Sequence, residues 1–286
     1  RSAVAVRRLH ELGYLNAVSL AGGLDEWRLA GRPVTSTSGL SAAQLDRYDR
    51  QIKLPDVGTE GQRRLIDATV TVIGAGGLGS PVLSYLAAAG VGTLRVVDDD
   101  VVEVSNLQRQ PLFSTADRGR RKVEAAADGI RQLNPDISVE PIDAALDRDN
   151  APDLLAGSSA VVDATDRFAA RYAINEASVA HGVPLVSGSV YRWEGQLMTV
   201  MPEGPCYRCA FPAPPGDDVA LDCALTGVIG PVVGAVGSMQ ATEVLQILAT
   251  GQSGHAGTLT VYDGRNGSTV RVAVERRVDC PACGSR

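Results

Sequence analysis

An α/β fold, with a largely parallel sheet between helices, is what the sequence predicts, and three stretches carry that expectation. Residues 70–98 read as strand, glycine turn, helix and second strand. Residues 154–163 form a buried segment in which Ala160, Val161 and Val162 run into Asp163-Ala-Thr-Asp166. Two carboxylates thus stand at the C-terminal end of a parallel strand, where ligands bind in open α/β sheets. Further short apolar runs at residues 183–186 and 195–200 read as additional strands.

In the first stretch, Val70, Val72 and Ile73 make a short apolar strand, and Gly74, Gly76 and Gly79 fit G-x-G-x-x-G where a helix over about residues 78–89 begins. The first glycine permits the tight turn, the second lets backbone N–H groups approach phosphate oxygens, and the third lets helix pack on strand. An anion there meets the helix N-terminus, which carries about half a positive charge. Gly90 and Gly92 stop the helix, and the strand at residues 93–97 ends in Asp98, placed to accept hydrogen bonds from ribose hydroxyls. Strand, helix and acid in register favour a nucleotide over a glycine-rich structural turn.

At 286 residues, 44% hydrophobic and 21% charged, the chain can bury an ordinary core as one large domain, or one domain plus a fragment. A net charge of −6 without a dense Lys/Arg run argues against a nucleic-acid partner and leaves proteins and small molecules. Residues 224–242 are long and apolar enough to raise a membrane span. Gly227, Gly230, Gly234, Gly237, Pro231, Ser238, Gln240 and Thr242 dilute that stretch, so a buried helix and no membrane partner are expected. No basic n-region and apolar h-region open the chain, and a cytoplasmic location is expected.

Residues 1–34 read differently. Ala5, Val6, Leu9 and Leu12 give a short amphipathic helix ended by Gly13, residues 17–20 read as a strand, and Gly22, Gly23, Trp27, Gly31 and Pro33 punctuate a return. The spacing RS-x-x-A-x-x-L-x-x-x-G-Y, followed by L-x-G-G-L-x-x-W-x-x-x-G-x-P-V, resembles the C-terminal third of a rhodanese domain. In that family the sulfur-carrying Cys lies in a loop ending at the Arg-Ser pair, so the resemblance implies a Cys before Arg1 and Ser2. The other reading assigns this helix and strand to the main domain. Residues 35–44 are expected to be a linker, opening on the small-residue run TSTSG, with the main domain over residues 45–286.

Five cysteines make a second constellation. Cys206-Tyr-Arg-Cys209 and Cys280-Pro-Ala-Cys283 are C-x-x-C knuckles that together supply the thiolates of a tetrahedral zinc site; a redox pair and a rubredoxin-like iron are the rivals. Their long separation means that the metal ties the chain end back onto the domain. A hairpin of residues 258–262 and 270–274, across Asp263-Gly264 and Asn266-Gly267, delivers the second knuckle. Cys223 is left over. It follows the Pro/Gly-rich acidic segment 212–222 and precedes the apolar helix, whose N-terminus lowers a thiol pKa; a small buried residue at the loop base is the alternative.

From about residue 45 to residue 284, seven motifs occur in order: RYDRQ, GAGGLGSP, SNLQRQ with Lys122 downstream, DATD, CYRC, GVIGPVVG and CPACG. In this the chain resembles the ThiF/MoeB family, bacterial relatives of ubiquitin-activating enzymes that adenylate the C-terminal glycine of a ubiquitin-like sulfur-carrier protein. The resemblance implies a Rossmann-like mixed sheet with helices on both faces, a homodimer, and ATP with Mg²⁺ in place of NAD. It further implies that Gly77 and Asp98 hold ATP, that Asn106, Arg109 and Lys122 contact phosphates, that Asp166 binds magnesium, and that Arg50 reaches into the partner subunit's site. A cysteine at the place of Cys223 is linked there to acyl or persulfide transfer, which also needs a sulfurtransferase or persulfide donor. The pathway implied is sulfur-containing cofactor biosynthesis of the thiamin or molybdopterin type. One departure is visible: the family usually has Asn after the second Asp of DATD, and here Arg167 follows.

The residue chemistry agrees. A carboxylate attacking the α-phosphate is ionised at pH 7, so the step calls for positioning, neutralisation and a metal rather than a base. His10, His181 and His255 lie outside every motif. Outside the motif context Arg109 and Lys122 would be ordinary exposed charges. An NAD-dependent oxidoreductase would use the same glycine turn and Asp98 but needs a placed proton donor, and a non-catalytic zinc-stabilised binding module follows if Arg167 disables the metal site.

Overall fold

The computed structural model describes residues 2–32, 39–214 and 227–284. The chain divides into Arg1–Leu45 and Asp46–Arg286. In the first unit, α1 (Ser2–Glu11) has the expected amphipathic pattern, yet none of its residues is buried, and Val4, Leu9 and Leu12 stay exposed. A second helix, α2, covers Gly23–Leu29. The strand expected at residues 17–20 does not form. Turn bonds take its place, from the Ala17 N–H to the Tyr14 carbonyl at 3.1 Å and from the Gly23 N–H to the Leu20 carbonyl at 3.0 Å. A strand exists only with a neighbour for its N–H and C=O groups, and a lone run of β-formers closes on itself.

The second unit is built on a sheet of eight strands: β1 (Thr69–Ile73), β2 (Thr93–Val97), β3 (Ser138–Ile142), β4 (Ala160–Asp163), β5 (Leu185–Tyr191), β6 (Glu194–Val200), β7 (Thr258–Asp263) and β8 (Ser268–Ala273). Their order is β3-β2-β1-β4-β5-β6-β7-β8. Pairing is parallel from β3 to β5 and antiparallel from β5 to β8. Ile73 pairs with Val97 on one side and Asp163 on the other, so β1, β2 and β4 end side by side. That is the switch point where chain connections diverge and a crevice opens.

Both faces of the parallel half are covered, which is why its strands read as continuous apolar runs. Successive residues alternate between two cores. Val70, Val72, Leu94, Val96 and Val162 join one; Ile73, Val97, Val161 and Leu185 join the other. The first is roofed by α6 (Gly79–Ala89) and α7 (Lys122–Leu133), with an apolar helix over Gly230–Thr250. The second core is covered by α8 (Ala151–Leu155), α9 (Phe168–His181) and α10 (Tyr207–Ala210). Between α2 and β1 the chain forms α3 (Ala42–Arg47), α4 (Asp49–Ile52) and α5 (Gly58–Asp67).

The helix Gly230–Thr250, α11, is long and apolar enough to cross a membrane by length and composition. It is a core helix: it packs on α6 and β5, and Gln240 and Glu243 are buried in it. Small residues allow the approach. A Cβ on Gly237 would stand 2.5 Å from the Pro81 side chain and 2.7 Å from the Leu78 carbonyl. The Gln240 amide then donates to the carbonyls of Asp163 at 2.8 Å and Val186 at 3.2 Å, joining α11 to the C-terminal end of β4 and to the start of β5 beside it.

Candidate active site and metal centre

The glycine turn leaves β1 in the strained geometry its residues predict. Gly74 has φ +97° and Gly79 lies so close that a Cβ on it would sit 2.0 Å from the Gly74 carbonyl oxygen. Only glycine fits, and α6 therefore starts directly on the strand end, its first turn closed by bonds from the Ser80 N–H to the Gly76 carbonyl at 2.9 Å and from the Val82 N–H to the Leu78 carbonyl at 3.3 Å. A Cβ on Gly76 would have the Gln110 amide 3.6 Å away, so space remains over the turn for a ligand. Gly77 lies between Val233 and Arg109, whose Cγ would be 3.5 Å from an added Cβ.

Asp98, at the end of β2, is tied to the turn: its Oδ2 accepts from the Ala75 N–H at 2.7 Å and its Oδ1 from the Asp100 N–H at 2.9 Å. Burial raises the Asp98 carboxyl pKa above its ordinary value, against the pull of Lys122 and of these N–H groups. Lys122 opens α7; it is 5% exposed and its Nζ is 2.8 Å from Asp100 Oδ2. Asn106 ends a 3-10 turn (Val104–Asn106), and its Nδ2 donates to Ser105 Oγ at 3.4 Å, while Arg109 Nη1 donates to the Ser105 carbonyl at 3.3 Å. Gly74, Gly76, Gly77, Gly79, Asp98, Arg109 and Lys122 thus border one crevice.

The two carboxylates of DATD take different places. Asp163 is fully buried: its Oδ2 faces Arg171 Nε at 2.9 Å and accepts from Ser187 Oγ at 2.6 Å, and its Oδ1 accepts from the Thr165 N–H at 3.1 Å. Arg171, itself 5% exposed, also donates to the carbonyls of Thr165 and Gly188. Asp163 therefore holds the loop, and Asp166 presents an exposed carboxylate beyond it. Its neighbour Arg167 pairs with Asp99. The close carboxylate cluster in the crevice is Asp98, Asp99 and Asp100, within 4.8 Å of one another, and Asp166 is outside it. A single exposed carboxylate is nonetheless a fitting magnesium ligand, because that ion takes one or two carboxylates plus phosphate oxygens.

RYDRQ divides in the same way. Tyr48 is buried, accepts from Asn134 Nδ2 at 3.0 Å and occupies the space that a Cβ on Gly90 would need. Arg47 pairs with Asp136 at 3.6 Å, and Gln51 donates to Gln62 and to the Ala89 carbonyl. Arg50 alone points away, its side chain 95% exposed and 4.0 Å from Asp49. The structure does not bring it to the crevice. Two residues given no role from sequence border the crevice. Gln110 is 3% exposed with its Oε1 unpartnered, and Arg167 is the other. Gln110 closes SNLQRQ, which was its only signal; burial and orphaning are tertiary facts.

At the other end of the molecule, the Sγ atoms of Cys206, Cys209, Cys280 and Cys283 lie within 4.8 Å of one another, all buried and all free. The short contacts run between knuckles, 3.6 Å from Cys206 to Cys280 and 3.4 Å from Cys209 to Cys283. A tetrahedral zinc with its ordinary Zn–S bonds needs edges of about 3.8 Å, so the set fits that ion. Burial opposes ionisation of Cys280, but the N–H groups of Ala282 and Cys283 overcome it and bring its thiol down to about 7. Burial pushes Cys206 and Cys283 up. Such thiols ionise on binding a cation rather than before it. Cys223 lies outside the described residues.

Residues 48–282 match the ThiF family. The chain is 50% identical over 248 residues to the SAMP-activating enzyme E1 of Haloferax volcanii, covering 87% of this chain and 92% of that protein. It is 47% identical over 247 residues to the sulfur carrier protein adenylyltransferase of Thermus thermophilus, covering 84% and 91%. Against the adenylyltransferase and sulfurtransferase MOCS3 of Sus scrofa the identity is 43% over 290 residues, with 99% of this chain covered but 64% of that protein, so the chain spans less than two thirds of that relative. Among solved structures, Escherichia coli MccB with ATP superposes with TM-score 0.73 at 22% identity, over 84% of this chain and 74% of that one, a likeness of fold. With its family motifs in order on the expected sheet, the chain belongs to the ThiF family.

Proposed function

We propose that this protein is an ATP-dependent adenylyltransferase that activates the C-terminal glycine carboxylate of a ubiquitin-like sulfur-carrier protein, preparing it for thiocarboxylate formation in sulfur-containing cofactor biosynthesis. The observation that carries the reading is the crevice itself: an open glycine turn at the start of α6, with the Asp98 carboxylate anchored on it and the buried Lys122 ammonium beside it. The names borne by the Haloferax and Thermus relatives point the same way.

In this reading the backbone N–H groups of the glycine turn hold the phosphates and Asp98 accepts from the ribose hydroxyls. The attacking carboxylate is ionised already, so the chain's task is to align it with the α-phosphorus and neutralise the departing pyrophosphate. Lys122 has three donors and keeps Asp100 while offering another to a phosphate oxygen; Arg109 adds a second positive charge, and Asn106 a neutral donor. Magnesium, held by Asp166, would add neutralisation of the phosphate oxygens. Zinc at Cys206, Cys209, Cys280 and Cys283 would be structural, since no open ligand position remains.

The remaining assignments are supported by sequence and placement. Arg50, exposed and directed away from its own crevice, serves the partner subunit's site in a homodimer. Cys223 takes part in acyl or persulfide transfer, with sulfur from a sulfurtransferase or persulfide donor. Residues 1–34 are rhodanese-like in character, a reading supported by their glycine and Trp spacing and by an amphipathic α1 that buries nothing. A cytoplasmic location suits a carrier pathway run on ATP.

Exchange of labelled pyrophosphate into ATP tests the reading. Exchange that depends on an intact carrier C-terminal glycine is expected; no exchange with any ubiquitin-like carrier encoded in the same genome would overturn it. A nicotinamide oxidoreductase or a binding module would catalyse none.

A further inference from the structure

We infer that Arg167 is a positioning residue of the nucleotide crevice: its guanidinium neutralises Asp99, so that a nucleoside triphosphate can approach the acidic edge of the site without bringing a divalent cation. The inference rests on the nucleotide reading above and adds to it a built-in counter-cation.

The sheet order places this pair. β2 and β4 flank β1, and their last residues are level with Ile73. The loop after β2 carries Asp98, Asp99 and Asp100; the loop after β4 carries Asp166 and Arg167. An ion pair from Arg167 to Asp99 therefore joins the loops that follow the two strands flanking β1. Arg167 is set for this: its N–H donates to Thr165 Oγ1 at 3.0 Å, in a loop braced by the buried Asp163–Arg171 pair.

The charges show why a cation is needed there. Three carboxylates lie within 4.8 Å of one another on the side of the crevice that a polyanion must approach. Asp98 is served by backbone N–H groups and Asp100 by Lys122. Asp99 has Arg167. Asp100 and Asp166 also act on the Arg167 charge, so the guanidinium sits among the acids rather than at their margin. A neutral residue at this position would remove the ion pair to the Asp99 carboxylate, leaving the Arg121 guanidinium on the Asp99 backbone carbonyl at 2.8 Å.

Calorimetric titration of the purified chain with ATP, in excess EDTA and in excess magnesium chloride, tests this. The wild type is expected to bind ATP in EDTA within about tenfold of its affinity in magnesium. Arg167→Ala should lose about tenfold or more in EDTA and less than about threefold in magnesium, with Arg167→Lys retaining most of the EDTA affinity. Because the role is neutralisation of Asp99, adding Asp99→Asn to Arg167→Ala should restore EDTA binding to within about threefold of wild type. Thermal melts confirm that each variant is folded. Wild-type binding seen only with magnesium, an Arg167→Ala variant equal to wild type in EDTA, an equal loss in both conditions, or a double variant as weak as Arg167→Ala would each overturn the inference. No wild-type binding in either condition would overturn the nucleotide reading and this one with it.

Discussion

Where β1, β2 and β4 end together, charged side chains collect at the surface of the sheet and are only partly answered by one another. Asp166 is exposed, and Gln110 has a buried oxygen without a partner. Where the chain leaving β8 meets the segment after β6, the opposite holds. Four buried thiols are gathered within 4.8 Å of one another in the second core, and a single cation would answer all of them. On the proposed function, the first region is left open for substrates that come and go, and the second would be completed by a cation that stays. The difference teaches where each kind of mutation should register, in turnover for the first and in stability for the second.

The largest expected effect sharpens that contrast. Cys280→Ser should cost most of the binding energy of structural zinc, about 10 kcal/mol or more, comparable with the stability of a whole domain. Metal analysis should show the zinc lost, and hydrogen exchange should show β7, β8 and residues 277–284 unprotected while the α6 turn stays protected. Freshly purified, reduced wild-type protein without zinc would break the comparison.

Next comes a test of the one place where the crevice is finished. Arg171→Met strands the buried Asp163 carboxylate, and breaking such a pair costs about 3–5 kcal/mol. Urea unfolding should show that loss; a cost below about 1 kcal/mol would mean that Ser187 and the Thr165 N–H suffice.

Arg109→Ala and Lys122→Ala should each remove about 3 kcal/mol of transition-state stabilisation, a loss of about a hundredfold in pyrophosphate exchange, with melting temperatures little changed. Exchange at the wild-type rate in both would take these residues out of the site. A smaller gain is expected on mixing Arg50→Ala with Asp166→Ala subunits: in a homodimer with sites shared across the interface, about a quarter of the sites are restored. No recovery would place the action of Arg50 within its own chain or the protein outside a dimer.

The smallest effect concerns pH. Burial holds the folded-state pKa of Asp98 above its unfolded value, so the stability contributed by its neutral form is present in acid and is lost as pH rises through the folded value. Asp98→Asn abolishes that titration, and its stability relative to wild type should therefore rise between acid and neutral pH. Parallel pH profiles for the two proteins, measured without nucleotide, would contradict it.

What was legible in the sequence is what depends on neighbours along the chain. The glycine turn, the helix α6 that follows it and both C-x-x-C knuckles were readable because turn geometry, helical period and ligand spacing are local. Even the membrane-like composition of α11 could be discounted from its glycines and polar residues. Reading failed where a partner from elsewhere was needed. Residues 17–20 have strand composition and no strand to pair with; β5 runs on to Tyr191 because β6 is there to pair with it.

Within the candidate site the division is the same. That Asp98 would stand beside the glycine turn followed from strand and helix lengths alone. That Asp163 would be buried against Arg171 and Asp166 exposed did not, since both belong to one short motif and only the packing of α9 and β5 separates their environments. Nor could the sequence pair Arg167 with Asp99, 68 residues apart, or bury Tyr48 against Gly90. The sequence by itself determined the main strands and helices of the parallel half, the glycine turn and the two cysteine knuckles, because torsional preference and spacing act over a few residues. Only the tertiary structure decided which charges are satisfied and which remain free for a ligand, because charges interact through space and the order of strands in the sheet sets the distances between them.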